Sequence, residues 1–270
     1  MDNKNQPIGI FDSGIGGLTV AKAIKEVLPQ ERIVYFGDTA HLPYGEKSTA
    51  ALQAYAIKIC NVLLSMSCKM IVIACNSASA AAFDLVKEYV GSKAVVMNVI
   101  DPVVDYVVEH YPDQTVGLIG TRQTISSNIY RQRIHHFQKG VSLKSLATPL
   151  LAGMIEEGFH HNQISRSVIN EYLSQKELAD IRSLILGCTH YPLIKDEVED
   201  FYKGKVDVID SPAIVAAAIK DKLLEQGLLR NQKPARQDYF MVSDYTQSFE
   251  MSSALFFGES VQLNKYPLWE

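Results

Sequence analysis

Short runs of β-branched and aromatic residues alternate along this chain with longer stretches of helical period. That alternation points to parallel sheets assembled from strand–helix–strand units. The expected strands are Ile8–Phe11, Ile33–Phe36, Met70–Ala74, Ala94–Val99, Val116–Ile119, Leu143–Leu146, Leu184–Leu186 and Val206–Ile209. Between them, Ser48–Met66 carries Leu52, Tyr55, Ile59, Val62, Leu63 and Met66 at helical spacing, which makes one buried stripe. Ser211-Pro212 reads as a helix start, a capping hydroxyl followed by proline at the first helical position, ahead of a stripe through Val215, Ala218, Ile219 and Leu223. Residues 227–237 are loosely organised and link that helix to a last strand and helix.

The strand ends repeat over a long period. The first strand ends at Asp12-Ser13-Gly14 and the strand Val116–Ile119 ends at Gly120-Thr121; Met70–Ala74 ends at Cys75-Asn76-Ser77 and Leu184–Leu186 runs into Cys188-Thr189-His190. Asp12 to Cys75 is 63 residues and Thr121 to Cys188 is 67. Two similar α/β halves, each with a polar first-strand end and a cysteine at a later strand end, account for this spacing.

Composition removes several classes of function. A chain of 270 residues makes about two domains of roughly 150. Its 26 basic and 30 acidic residues lack the excess positive charge that a nucleic-acid ligand requires. Apolar runs such as Met70–Cys75 and Ile214–Ile219 are six residues, against roughly 20 for a membrane span. The polar start, Met1 to Gln6, carries no apolar signal segment, so a cytoplasmic, reducing setting is expected. Cys60, Cys68, Cys75 and Cys188 form no Cys-x-x-Cys pair, so free thiols are expected and no metal site.

Ligands of open parallel sheets bind beyond the carboxyl ends of strands, where loops feed helix N-termini. Cys75 and Cys188 both fall there. Asn76 or Ser77 can cap a helix over Ala78–Tyr89, and Pro192 suits the first turn of a helix to about Tyr202. A helix N-terminus stabilises a thiolate and offers a place for a carboxylate, so each cysteine is a candidate proton-transfer group. Cys60 and Cys68 lie away from strand ends and read as packing residues. Gly14-Ile15-Gly16-Gly17 fails the dinucleotide fingerprint at its third glycine, which is Thr19; no Gly-Lys-Ser/Thr phosphate loop exists, and Ser13 is not framed as a hydrolase nucleophile. His135-His136 and His160-His161 read as surface pairs, whereas His190, two residues beyond Cys188, can hold or receive the thiol proton.

Five ordered motifs, Ile10-Phe11-Asp12-Ser13-Gly14-Ile15-Gly16-Gly17-Leu18, Phe36-Gly37-Asp38-Thr39, Pro43-Tyr44-Gly45, Ile73-Ala74-Cys75-Asn76-Ser77-Ala78 and Leu186-Gly187-Cys188-Thr189-His190-Tyr191-Pro192-Leu193, closely resemble those of the glutamate racemases. The likeness runs from Ile8 to the helix after Ser211 and weakens over the last 40 residues. It implies two pseudo-symmetric α/β domains, with mostly parallel sheets flanked by helices and the active site in the cleft between them. Residues 1–98 with 208–270 would form the first domain and 99–207 the second. It further implies cofactor-independent interconversion of L- and D-glutamate, supplying D-glutamate for peptidoglycan.

In that pattern Cys75 and Cys188 are the catalytic bases, Cys75 acting on D-glutamate and Cys188 on L-glutamate, with Asp12 and His190 assisting. Asp38 and Glu156 match acidic supporting positions. Asp12, Ser13, Pro43, Tyr44, Gly45, Asn76, Ser77, Thr121, Thr189 and His190 match substrate-binding positions. Ser77 stands where the family usually has threonine, and His41 where it often has arginine, which removes a fixed charge near Pro43-Tyr44-Gly45. Small-molecule glutamate is the expected partner, nucleic acid and membrane are not, and a homodimer is compatible with this reading. A cofactor-free racemase or decarboxylase for aspartate or hydantoins, and a two-domain amino-acid-binding protein, remain as alternatives.

Overall fold

The computed structural model describes residues 3–232 and 234–270. The first sheet has the order β10-β9-β2-β1-β3-β4, with β1 at Ile8–Asp12, β2 at Ile33–Gly37, β3 at Met70–Ile73, β4 at Val95–Asn98, β9 at Tyr239–Val242 and β10 at Leu263–Lys265. The second has the order β6-β5-β7-β8, from Thr115–Gly120 (β5), Ser142–Ala147 (β6), Ser183–Gly187 (β7) and Asp207–Ile209 (β8). Every pairing is parallel. The central strands β1, β2, β3 and β7 are buried along their whole length, which is why they read as continuous apolar runs rather than alternating ones.

The order β2-β1-β3-β4 recurs as β6-β5-β7-β8, so the spacing of the strand ends reflects a repeated architecture. Asp12 ends β1 as Thr121 follows β5, and Cys75 follows β3 as Cys188 follows β7. Because β8 pairs with β7, the domain junction expected at 207/208 cuts a strand of the second sheet, and the chain leaves that sheet only after Ile209.

The crossovers of the first half are α1 (Leu18–Val27), α2 (Thr49–Ser65) and α3 (Asn76–Val90). Then follow α4 (Asp101–His110), α5 (Arg122–Ser126), α6 (Ile129–His136), α7 (Pro149–Glu156), α8 (Gln163–Leu173) and α9 (Lys195–Tyr202). The chain returns through α10 (Ser211–Glu225) and α11 (Gln247–Phe257). One continuous core runs from Ile8, Ile10 and Ile24 through Val103 and Val107 to Val116, Leu184 and Ile219, which joins the two halves. A separate core lies on the other face of the first sheet, under α2 and α3. At the end of the first sheet opposite the strand ends, buried Lys69 Nζ is held by Glu31 Oε2 at 2.6 Å and by the carbonyls of Lys4 and Leu228. Pairing is what makes a charge tolerable there.

Several local expectations are corrected. Asp210, not Ser211, caps α10, accepting from Ala213 N at 3.3 Å, so Ser211 and Pro212 are the first two helical residues. Cys75 itself is the N-cap of α3, which puts Asn76 and Ser77 in its first turn. Pro192 is the second residue of a 3₁₀ turn, Tyr191–Ile194, that precedes α9. The end of the chain adds a second strand, β10, beyond the expected strand and helix. His160 is half-buried rather than at the surface, and His161 lies 3.6 Å from Glu197. Among the described residues no helix is long and apolar enough to cross a membrane.

Cys60 and Cys68 are buried free thiols, and burial pushes both up to about 12, with Arg32 opposing this slightly at Cys68. They stay protonated and unreactive at neutral pH. Cys60→Ala and Cys68→Ala should each lower stability by about 1 kcal/mol while retaining most turnover, as thermal melting and steady-state assay would show. A well-folded Cys60→Ala that loses turnover would contradict this assignment.

Candidate active site

Asp12 closes β1 with no exposed surface, and the chain then turns sharply into α1. Its Oδ2 accepts from Gly17 N at 2.8 Å and Gly14 N at 3.3 Å, while Oδ1 is buried without a hydrogen-bond partner among the described residues. Burial raises the Asp12 carboxyl above its usual range, opposed by the charge of His190 and by the backbone donors. The glycines here serve close approach rather than a dinucleotide. A Cβ on Gly16 would lie 2.4 Å from His190 Cε1, and one on Gly17 would lie 2.5 Å from Asp12 Cβ. Thr19 Oγ1 donates to Thr189 O at 3.0 Å, so the first helix of one half touches the cysteine loop of the other.

Cys75 sits at the mouth of α3, 6% exposed. Burial, with the Asp12 charge adding to it, pushes its thiol well up, while the Ala78 N–H and the Ser13 hydroxyl favour the thiolate. At neutral pH Cys75 therefore carries its proton. Across the cavity Cys188 Sγ lies 3.6 Å from His190 Nδ1, and His190 Nε2 lies 2.7 Å from Glu156 Oε1. Burial alone would pull His190 down, but its bonds to Cys188 and Glu156 outweigh that and hold the imidazole well above its ordinary range. The residue therefore carries positive charge at neutral pH.

Both thiols open into one cavity of about 320 Å³. That is near the lower end of the roughly 300–1,000 Å³ usual for small-molecule sites, so it suits a compact ligand. From the first half come Ser13, Asn76 and Ser77 beside Cys75, and the wall Pro43, Tyr44 and Gly45. From the second come Thr121, Glu156, Thr189 and His190 beside Cys188. Ser77 Oγ meets Thr121 Oγ1 at 2.8 Å and Tyr130 OH donates to Asn76 Oδ1 at 2.7 Å, so polar contacts join the halves beside the cavity.

Of the residues singled out from sequence, Asp12 and Asp38 do not line the cavity. Asp12 is wholly buried and held by the backbone of Gly14 and Gly17. Asp38 is wholly buried and accepts from Tyr44 OH at 2.6 Å, which makes it a support for the wall rather than a group facing the ligand. His41 also turns away, its Nδ1 on Asp38 Oδ2 at 2.9 Å and its ring stacked on Tyr55 at 4.1 Å. The side chain at position 41 therefore packs outside the cavity.

Sequence reasoning missed Leu42 and Glu46, which flank the Pro43-Tyr44-Gly45 wall, and Thr148, Pro149, Ala152 and Gly153 on the second half. Thr148-Pro149 follows β6 as a polar residue and a proline at a helix start, a signal present in the sequence. Buried Thr148 Oγ1 also meets Tyr191 OH at 2.7 Å. Among the described residues no three His, Cys, Asp or Glu side chains are grouped to hold a metal ion.

Residues 17–219 match the Asp/Glu/Hydantoin racemase family. The chain belongs to this family. A glutamate racemase from Chlorobium phaeobacteroides is 40% identical over 250 residues, 93% of this chain and 92% of that protein. The crystal structure of glutamate racemase from Francisella tularensis in complex with D-glutamate superposes with a TM-score of 0.90 at 39% identity, covering 98% of this chain and 99% of that one. That of Thermus thermophilus in complex with β-chloro-D-alanine gives 0.87 at 32% identity over 97% of each. An aspartate racemase from Picrophilus torridus, at 19% identity and a TM-score of 0.58, shares the fold. As a member of the racemase family the chain is an isomerase, and its two α/β halves are those of its structural relatives.

Proposed function

We propose that this racemase interconverts L- and D-glutamate without a cofactor, by proton transfer between Cys75 and Cys188, and so supplies D-glutamate for peptidoglycan. The observation that carries this is the placement of two thiols at equivalent strand ends of the two halves, both facing one cavity. Inversion requires a base on one face of the α-carbon and an acid on the other.

With L-glutamate bound, the Cys188 thiolate removes the α-proton and the Cys75 thiol delivers its own to the opposite face. Cys188 is then the thiol and Cys75 the thiolate, ready for the reverse reaction. The charged His190 stands beside Cys188, and the Ala78 N–H and Ser13 hydroxyl receive the thiolate at Cys75. Substrate carboxylates find the first-turn N–H groups of α3 at Asn76 and Ser77 and the hydroxyls of Ser77, Thr121 and Thr189. Hydrogen bonds to the α-carboxylate strengthen as charge moves onto it during deprotonation.

Purified protein, with no pyridoxal phosphate or metal added, should convert L-glutamate to a racemic mixture, followed by chiral chromatography. Aspartate, shorter by one methylene, should react more slowly. No turnover of glutamate, or a preference for aspartate, would sink the assignment.

A further inference from the structure

The last residues of the chain reach back to the loop that walls the cavity. Tyr266 N–H donates to Val242 O at 2.8 Å and its ring meets Phe36 edge-on at 5.9 Å. This brings the Trp269 ring to 4.4 Å from His41 and 5.3 Å from Tyr55, with Lys58 Nζ 4.4 Å from its centre. The indole N–H donates to Asp38 Oδ1 at 2.7 Å, an oxygen that also accepts from Ser243 Oγ at 2.7 Å. The other Asp38 oxygen takes the Tyr44 phenol. Burial and the Asp38 charge hold that phenol well above its usual range, so it remains a donor. A buried carboxylate is stable only while its donors are in place, so each donor helps fix the others.

We infer that Trp269 is a positioning residue for substrate binding: through Asp38 it holds Tyr44 and the adjoining wall of the cavity, an inference that rests on the racemase reading above. Tyr44 is pinned on one side by this carboxylate. On the other, Gly45 abuts Thr121 so closely that a Cβ would lie 2.7 Å from Thr121 Cβ. The wall carries no proton in the reaction, and Cys75 and Cys188 stand on other strand ends. Loosening it should therefore weaken binding and leave proton transfer intact.

Trp269→Phe keeps a ring over His41 and Tyr55 and removes only the N–H. KM for glutamate should rise about tenfold in both directions, with kcat within about threefold of the unmodified enzyme. Trp269→Phe combined with Tyr44→Phe should be no worse than Tyr44→Phe alone, because both act through one carboxylate. An unchanged KM, a fall in kcat alone, or additive effects in the double variant would overturn the inference while leaving the racemase reading in place. Should Trp269→Phe fail to fold, the unmodified chain decides, since Trp269 is its single tryptophan. A saturable change in emission on titration with D-glutamate supports the inference, and constant emission at saturation overturns it. Absence of glutamate turnover by the unmodified enzyme overturns the racemase reading, and this inference with it.

Discussion

Replacing either Cys75 or Cys188 by alanine is expected to lower racemisation by roughly 10³-fold or more, because inversion needs an acid and a base together. The two variants should nevertheless differ. The remaining thiol still faces one side of the α-carbon and can exchange the proton on that side with solvent. In heavy water Cys188→Ala should exchange the α-proton of D-glutamate faster than that of L-glutamate, and Cys75→Ala should show the opposite bias. The sign of the bias is the test, since loss of the partner also changes the charge around the thiol that remains. Burial and Asp12 push Cys75 up, and removing Cys188 takes away one of the smaller contributions to that shift. Mass spectrometry of the separated enantiomers measures the exchange, and the same preferred enantiomer in both variants would rule out bases on opposed faces.

What the sequence disclosed, and what it withheld, divides by distance along the chain. The buried strands were legible because parallel strands covered on both faces are unbroken apolar runs, and the cysteines because each follows such a run directly. The matching orders β2-β1-β3-β4 and β6-β5-β7-β8 lie behind the similar spacings of Asp12 to Cys75 and Thr121 to Cys188. The cap of α10 falls one residue before the one the sequence points to, because aspartate and serine are both good caps and only the backbone decides which side chain reaches Ala213 N. The support of Asp38 by Ser243 and Trp269, 205 and 231 residues away, has no local signature. Only the folded sheet, with β9 beside β2, brings those residues to one carboxylate. His41 shows the same limit, since its turn away from the cavity depends on Tyr55 and Trp269.

Glu156→Gln is expected to lower kcat/KM by roughly 10²-fold, the smaller end of what a positioned acid–base group contributes. With an equilibrium constant of one between enantiomers, kcat/KM must fall equally in both directions, so net racemisation cannot reveal which thiol is affected. Exchange can. In the Cys75→Ala background, Glu156→Gln should further slow exchange of L-glutamate, because His190 adjoins Cys188. In the Cys188→Ala background it should leave exchange of D-glutamate nearly unchanged. The pH dependence follows from His190, where burial pulls the imidazole down and the bonds to Cys188 and Glu156 lift it well above its ordinary value. A raised histidine contributes stability that is complete below its unfolded pKa of about 6.5 and is lost as pH climbs through the folded value. Glutamine cannot hold the imidazolium in the same way, so the melting temperatures of variant and unmodified enzyme should differ most near pH 6 and converge at alkaline pH. The alkaline limb of the activity profile should move to lower pH for the same reason. An unmoved limb, or equal losses of exchange in both backgrounds, would show that Glu156 does not act through His190 on Cys188.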